Sequence, residues 1–241
     1  MKTVTIDIET ALDEEAAARC GYVPSDEFAP FPLHQVVCAS ALAVLSKADG
    51  QRFYALESFS RGLVSERGII MSLETAVDDA DVLLTFNGYQ FDLPVLLARA
   101  ALHELHVPRL MDMHNRSMVG KHLDLFDQLK RAAAPTSLAQ ICAPFGIPVK
   151  QEPASTVSAL VTREDWAALE RYCETDVVGC WLASLFWNKV HEPGAARTAW
   201  REFASWAVER ASEYPSVAAF ATVPEPPRQS YPTRGLDDFD F

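Results

Sequence analysis

The chain has 241 residues, 49% hydrophobic and 22% charged, enough for one large globular domain and too few for two independent domains of ordinary size. With 21 basic against 33 acidic residues its net charge is -12, which excludes tight binding of a polyanion by the whole surface. A site that neutralises phosphate locally with metal ions stays open, because carboxylates that hold such ions add to the acidic balance themselves.

The first predicted element is a strand over residues 2–9, where Val4, Ile6 and Ile8 alternate with Thr3, Thr5, Asp7 and Glu9. A proline-rich loop, "VPSDEFAPFPLHQ", leads to "VVCASALAVL" and "RFYAL", which the Asp-Gly signal of "SKADGQ" joins as a hairpin. A helical stretch around 65–79 precedes the short apolar strand "DVLLTF", which ends at "NGYQFD". Residues 92–106 form a helix opened by Asp92 with Pro94 in its first turn. "HLDLF" (122–126) is a further short strand; it also looks like the pentapeptide by which bacterial proteins dock on the sliding clamp, a role that a sheet strand excludes.

Two helical stretches occupy 127–145, and a long helix runs from about 163 to 190, with Thr162 and Asp165 spaced as a capping box. A last helix covers 196–213. Beyond it five of the fifteen prolines fall between Pro215 and Pro232, a composition for an extended arm. This order predicts an α/β fold, a mixed sheet flanked by helices, over residues 1–213, followed by a Pro-rich extended or disordered tail over 214–241.

The five cysteines, Cys20, Cys38, Cys142, Cys173 and Cys180, lack metal-ligand spacing and read as reduced core thiols. No basic-then-apolar leader and no membrane-length apolar run is present, so a soluble, cytoplasmic protein with no membrane partner is expected.

Three acidic features carry chemistry. On a strand, Asp7 and Glu9 of "DIET" share one face, about 6.5–7 Å apart, while the isoleucines pack the other. With 33 acidic residues, chance supplies about one such D-x-E, and an edge strand showing acids to water explains the pair equally well. Asp92 stands at the end of a strand, where α/β sheets place site residues, and serves equally as a helix cap. Tyr172 and Asp176 lie i, i+4 on the long helix, with Asp176 at the edge of the apolar stripe Trp166, Leu169, Cys173, Val177 and Cys180. An aspartate there needs a positive partner, and Arg99 or Arg171 would be the structural choice. Gly179, one turn on, leaves room for another backbone or a ligand.

In order and spacing, "DIET", the Asp92 of "NGYQFD" and the Y-x-x-x-D of "YCETD" resemble the motifs of the DEDD 3′-5′ exonucleases. The tyrosine places the resemblance in the DEDDy branch, a ribonuclease H-like fold. Within it, the chain is most similar to the predicted exonucleases related to the proofreading domain of family B DNA polymerases, which share a segment like "HLDLFDQL". The resemblance covers residues 2–190.

It implies a 3′-5′ exonuclease that acts on the 3′ ends of single-stranded DNA and releases nucleoside 5′-monophosphates. The alternatives are an exoribonuclease and a non-catalytic nucleic-acid-binding protein on the same fold. It implies Asp7, Glu9, Asp92 and Asp176 as ligands of two Mg²⁺ or Mn²⁺ ions, and Tyr172 as the group that orients the attacking water. Asn87, Gly88 and Phe91 would contact substrate, the glycine by close approach and the phenylalanine by stacking, although Phe91 is as well explained as core. Asp124 would be a supporting carboxylate or a surface acid. The C-terminal "GLDDFDF" resembles the acidic, Phe-ended tip of bacterial single-stranded DNA-binding proteins, so Leu236–Phe241 would dock a replication or repair protein, unless it is only a solubilising tail.

Overall fold

A computed structural model describes residues 1–25, 28–115, 121–130, 136–150 and 155–226. The Leu236–Phe241 tip lies outside these residues. Five strands form one mixed sheet: β1 (Lys2–Leu12), β2 (His34–Ser46), β3 (Arg52–Ser60), β4 (Val82–Thr85) and β5 (His122–Asp124). Their spatial order is β3-β2-β1-β4-β5. The hairpin pairs β1, β2 and β3 antiparallel, whereas β4 runs parallel to β1 and β5 parallel to β4. The "DIET" strand is therefore the central strand, which overturns the edge-strand explanation of its acids.

Helices cover both faces. On one, α2 (Glu66–Val77), α3 (Asp92–Leu102) and α4 (Pro108–His114) bury Ile69, Leu73, Leu93 and Leu96 against Val4, Ile6 and Ile8 of β1. On the other, α8 (Trp166–Asn188) and α9 (Ala195–Arg210) pack Val177, Trp181, Trp200 and Phe203 over Leu42, Val44 and Leu84. The shorter helices α1 (Glu14–Cys20), α5 (Leu125–Lys130), α6 (Leu138–Cys142) and α7 (Ser155–Thr162) fill the connections. The small size and mixed polarity of α1, α4 and α7 gave no periodic signal, so the sequence pattern missed them.

Four sequence expectations need correction. Thr162 does not cap the long helix: it closes α7, and Asp165 alone caps α8 by accepting the Ala168 N–H at 3.1 Å. The strand expected over 122–126 stops at Asp124, and Leu125 already begins α5. The tail does not start at 214. Residues Pro215–Ala221 form a 3-10 turn whose Val217 and Phe220 are fully buried, held by the Trp200 Nε1 bond to the Phe220 carbonyl at 2.9 Å. Two apolar residues at that spacing outweigh the proline-rich composition around them. Cys20 is exposed at the end of α1, while the other four cysteines are buried, and all five are free thiols. Among the described residues no helix is long and apolar enough to cross a membrane.

Candidate active site

β4 pairs only with Thr3–Thr5 of β1. Past that point β1 runs on without a partner on this side, and Asp7, Ile8 and Glu9 stand just beyond the carboxyl end of β4. A register shift between Glu9 and Thr10 leaves Val37 of β2 as an extra residue before the pairing resumes at Thr10 and Val36, the kind of irregularity that re-aims side chains at sheet ends. The turn "NGYQF" carries the chain from β4 into α3 and sets Asp92 in this gap. There its carboxylate lies beside the backbone N–H groups of Ile8 and of Asp92 itself, and the residue is only 4% exposed. Asp92 is thus the first residue of the helix, not its cap. From the opposite face of the sheet, α8 brings Tyr172, Cys173 and Asp176 over the same strand, and the Cys173 thiol donates to the Asp7 carbonyl at 3.4 Å.

The fold brings together all five residues expected to be catalytic. Their electrostatics show how close they are. Burial and the charges of Asp176, Glu9 and Asp92 hold the Asp7 carboxyl well above the usual carboxylate range. Burial pushes Glu9 up to about 7 against the opposing pull of Lys150. Asp92 also rises to about 7, by burial and the nearby charges of Asp124 and Glu9, in spite of its two N–H partners. Burial raises Asp176 as well.

Sequence reasoning missed the residue that faces these acids. Lys150 places its ammonium 3.3 Å from Glu9 Oε1, in an ion pair with Asp176, and 3.6 Å from the Tyr172 ring centroid. Burial works against its charge, yet Glu9, Asp176 and Asp7 hold it protonated above the ordinary lysine range. Neither arginine expected to neutralise Asp176 does so: Arg99 is committed to Glu66 at 2.7 Å and Asp13 at 2.6 Å. The available signal was weak, a lone lysine in the apolar stretch "GIPVK" of an acidic chain. Tyr172 is buried, which raises its phenol, so it stays protonated as a hydrogen-bonding group and not as a base.

The other expected residues divide. Asp124 is 3% exposed and accepts four backbone N–H groups: Asn87 and Tyr89 at 2.9 Å, Phe126 at 3.0 Å and Asp127 at 3.3 Å. It is no surface acid; its oxygens are spent on shaping the turn that delivers Asp92. Asn87 occupies the left-handed region at φ 68°, and its Oδ1 is buried without a hydrogen-bond partner. Gly88 is accounted for without substrate, because a Cβ there would collide with the Thr85 side chain as the turn folds back on β4. Phe91 is half-buried against the core and packs against Phe28 and His34. Gly179 does not admit a close backbone: a Cβ there would meet Pro148 O at 3.7 Å and Cys142 Sγ at 3.8 Å, ordinary contacts.

A groove of about 410 Å³ adjoins the cluster at Lys150 and Tyr172, and Thr156, Arg171 and Thr175 supply its other polar groups. A larger one, about 690 Å³, lies between the hairpin and α9 and contains none of these residues.

The donor set fits hard divalent ions. Three carboxylates, Asp176, Glu9 and Asp92, all raise the pKa of a fourth, Asp7, and a half-buried ammonium already occupies the cationic position between two of them. The Cys173 thiol lies within 4.8 Å of the Asp7 and Glu9 oxygens and adds a soft donor beside them.

Residues 26–194 match a family described as predicted 3'-5' exonuclease related to the exonuclease domain of PolB. The matched span contains Asp92, Tyr172 and Asp176 and begins after Asp7 and Glu9. Among solved structures, the chain is similar to the family B DNA polymerase from the hyperthermophilic archaeon Pyrobaculum calidifontis, with a TM-score of 0.57 and 19% identity. The match covers 92% of this chain and 27% of the polymerase, and at that identity it bears on fold alone. The fold is thus the ribonuclease H-like one of a polymerase exonuclease domain. A search of curated proteins gives no match.

Proposed function

Starting from the chain's membership of the family of predicted 3′-5′ exonucleases related to the exonuclease domain of PolB, we infer that it hydrolyses phosphodiester bonds at the 3′ ends of single-stranded DNA. One observation carries this reading. Asp7, Glu9, Asp92 and Asp176 converge from a central strand and two helices on opposite faces of the sheet, with Lys150 between them. Two ionised carboxylates about 5 Å apart repel by about 3 kcal/mol at an effective dielectric near 20; Lys150 offsets this for Glu9 and Asp176, so ionising Asp7 and Asp92 beside them calls for further cations.

Asp7, central to the cluster, would touch both of two Mg²⁺ or Mn²⁺ ions. Glu9 and Asp176 would complete one ion's ligands, and Asp92 would hold the other. The chemistry such ions supply when bound is activation of a water and stabilisation of the leaving oxygen. The remaining work belongs to the chain. Tyr172 presents a protonated hydroxyl on the Glu9–Asp176 side and orients the water for attack on phosphorus. As the water oxygen bonds to phosphorus and gives up a proton to solvent, the bond to the 3′-oxygen of the preceding nucleotide breaks, that oxygen takes up a proton, and a nucleoside 5′-monophosphate leaves. Lys150 carries three donors inside the cluster and can turn them to a non-bridging phosphate oxygen. The domain that performs this extends through the packed 215–221 turn.

The test is incubation of 5′-labelled single-stranded DNA and RNA with the protein and Mg²⁺ or Mn²⁺, beside Asp7→Ala and EDTA controls. A ladder shortening from the 3′ end of DNA, lost in both controls, is expected. Cleavage of RNA alone would move the substrate to RNA, and tight binding without cleavage would make the protein a binding module.

A further inference from the structure

The groove of about 410 Å³ beside the carboxylate cluster is charged against the trend of the chain. The protein carries a net charge of -12, yet the two charged residues that line this groove among the described residues, Lys150 and Arg171, are both cations. The larger groove between the hairpin and α9 has the ordinary mixture, with Asp49, Glu202 and Glu209 beside Arg52 and Arg210. Arg171 is also unspent. Every other described arginine has a carboxylate, carbonyl or amide partner, whereas the Arg171 guanidinium has no hydrogen bond or ion pair among the described residues.

Helix α8 ties this arginine to the cluster. Ala168, Arg171, Tyr172 and Thr175 recur at i, i+3, i+4 and i+7, so one stripe of the helix forms the groove wall and ends its polar part at Tyr172. The Thr175 hydroxyl donates to the Arg171 carbonyl at 2.8 Å and so has no proton left for the groove. Val149 and Leu160 supply apolar surface to the same groove.

The reaction set out above gives this groove a side of the phosphorus atom. The attacking water stands on the Tyr172 side and the 3′-oxygen leaves on the Asp92 side, because in-line displacement sets them opposite each other. The uncut remainder of the strand therefore departs away from the groove, and the oxygen gained from water points towards Lys150 and Tyr172. Cleavage also changes the charge. A phosphodiester carries one negative charge, whereas a phosphate monoester carries about -1.5 to -2 at pH 7. A free guanidinium, a planar fork of donors matched to phosphate oxygens, meets that added charge. The groove volume also falls in the range that holds a small molecule.

We propose that this groove is a binding site for the released nucleoside 5′-monophosphate, with Arg171 as the contact to its phosphate and Val149 and Leu160 as the surface for its nucleoside. The proposal rests on the nuclease reading above. The second charge of the monoester forms only on cleavage, so the site separates product from uncut strand.

The test is calorimetric titration of wild type, Arg171→Ala and Arg171→Lys, in Mn²⁺, with three probes. These are deoxyadenosine 5′-monophosphate, deoxyadenosine 5′-methylphosphonate, which keeps a single negative charge, and deoxyadenosine. Wild type should bind the monophosphate most tightly. Arg171→Ala should raise its Kd by about 5- to 30-fold, change the methylphosphonate less and leave deoxyadenosine unchanged. Arg171→Lys should recover part of the loss, since it restores the charge without the fork. The same factor should appear in the inhibition of strand shortening by added monophosphate. A monophosphate Kd equal in wild type and Arg171→Ala, an equal loss for all three probes, or no binding of the monophosphate by wild type overturns the proposal. The titration needs no cleavage, so the two readings fail separately. If wild type shortens no strand, the nuclease reading fails, and an Arg171-dependent preference for the monophosphate still establishes the groove as a nucleotide site.

Discussion

The carboxylate of Asp92 lies beside the backbone N–H of Ile8, the residue between Asp7 and Glu9, and that dipole opposes the rise that burial imposes on it. The start of α3 thereby stands against the stretch of β1, past the end of β4, that carries the other two acids. Asp92→Asn keeps an acceptor oxygen for Ile8 but removes a charge. The variant should fold with a Tm in EDTA equal to or above wild type and lose part of the rise in Tm on adding Mn²⁺, the part due to the ion that Asp92 would hold. Its cleavage should fall by about a hundredfold or more. Asp7→Ala should lose at least as much activity as Glu9→Ala, because in the proposed site Asp7 would serve both ions. Thermal melts and the labelled-strand assay check both outcomes.

Stability should depend on pH in the direction opposite to that of a salt-bridged carboxylate. Glu9 and Asp92 titrate at about 7 when folded and at about 4 when unfolded. Between those values the folded chain holds protons that the unfolded chain has released, so unfolding free energy without divalent ions falls as pH rises through this window. Ion binding needs the deprotonated acids, so stabilisation by Mn²⁺ should grow over the same range. Melts in EDTA and in Mn²⁺ at about pH 5 and about pH 8 test this; a Tm in EDTA that climbs with pH would contradict it.

Asp124 acts on the site through the turn before Asp92. Asp124→Ala strands backbone N–H groups of Asn87, Tyr89, Phe126 and Asp127, at a cost of about 2–4 kcal/mol of unfolding free energy. Asp124→Asn keeps one acceptor oxygen and should recover part of that loss in urea unfolding. A direct metal ligand would behave differently, losing activity with little change in stability.

Gly179 lies in the middle of α8, where glycine weakens the helix and nothing here requires it. With its nearest prospective neighbours 3.7 and 3.8 Å from a new Cβ, Gly179→Ala should raise unfolding free energy by up to about 1 kcal/mol and leave cleavage unchanged. Denaturant unfolding decides this. A destabilised variant would mean that Pro148 or Cys142 packs more tightly than these contacts allow.

Much of the site was legible because its signals are local. Alternation puts Asp7 and Glu9 on one face of β1, and i, i+4 spacing puts Tyr172 and Asp176 on one face of α8; both hold whatever surrounds them. Capping was less legible, since Thr162 and Asp165 have the spacing of a box but a helix end falls between them. The same holds for Pro215–Ala221, where composition pointed to an arm and the burial of Val217 and Phe220 decided for the core.

The sequence by itself determined the acids, their faces and the order in which strand and helices present them, because backbone periodicity dictates these residue by residue. Only the tertiary structure decided what meets the acids. Lys150 sits 141 positions from Glu9, and Cys173 sits 166 from Asp7. No local pattern encodes either encounter. Both follow from the sheet order, which makes β1 central, stops β4 at Thr85, and leaves the end of "DIET" open to whatever the loops and α8 bring there.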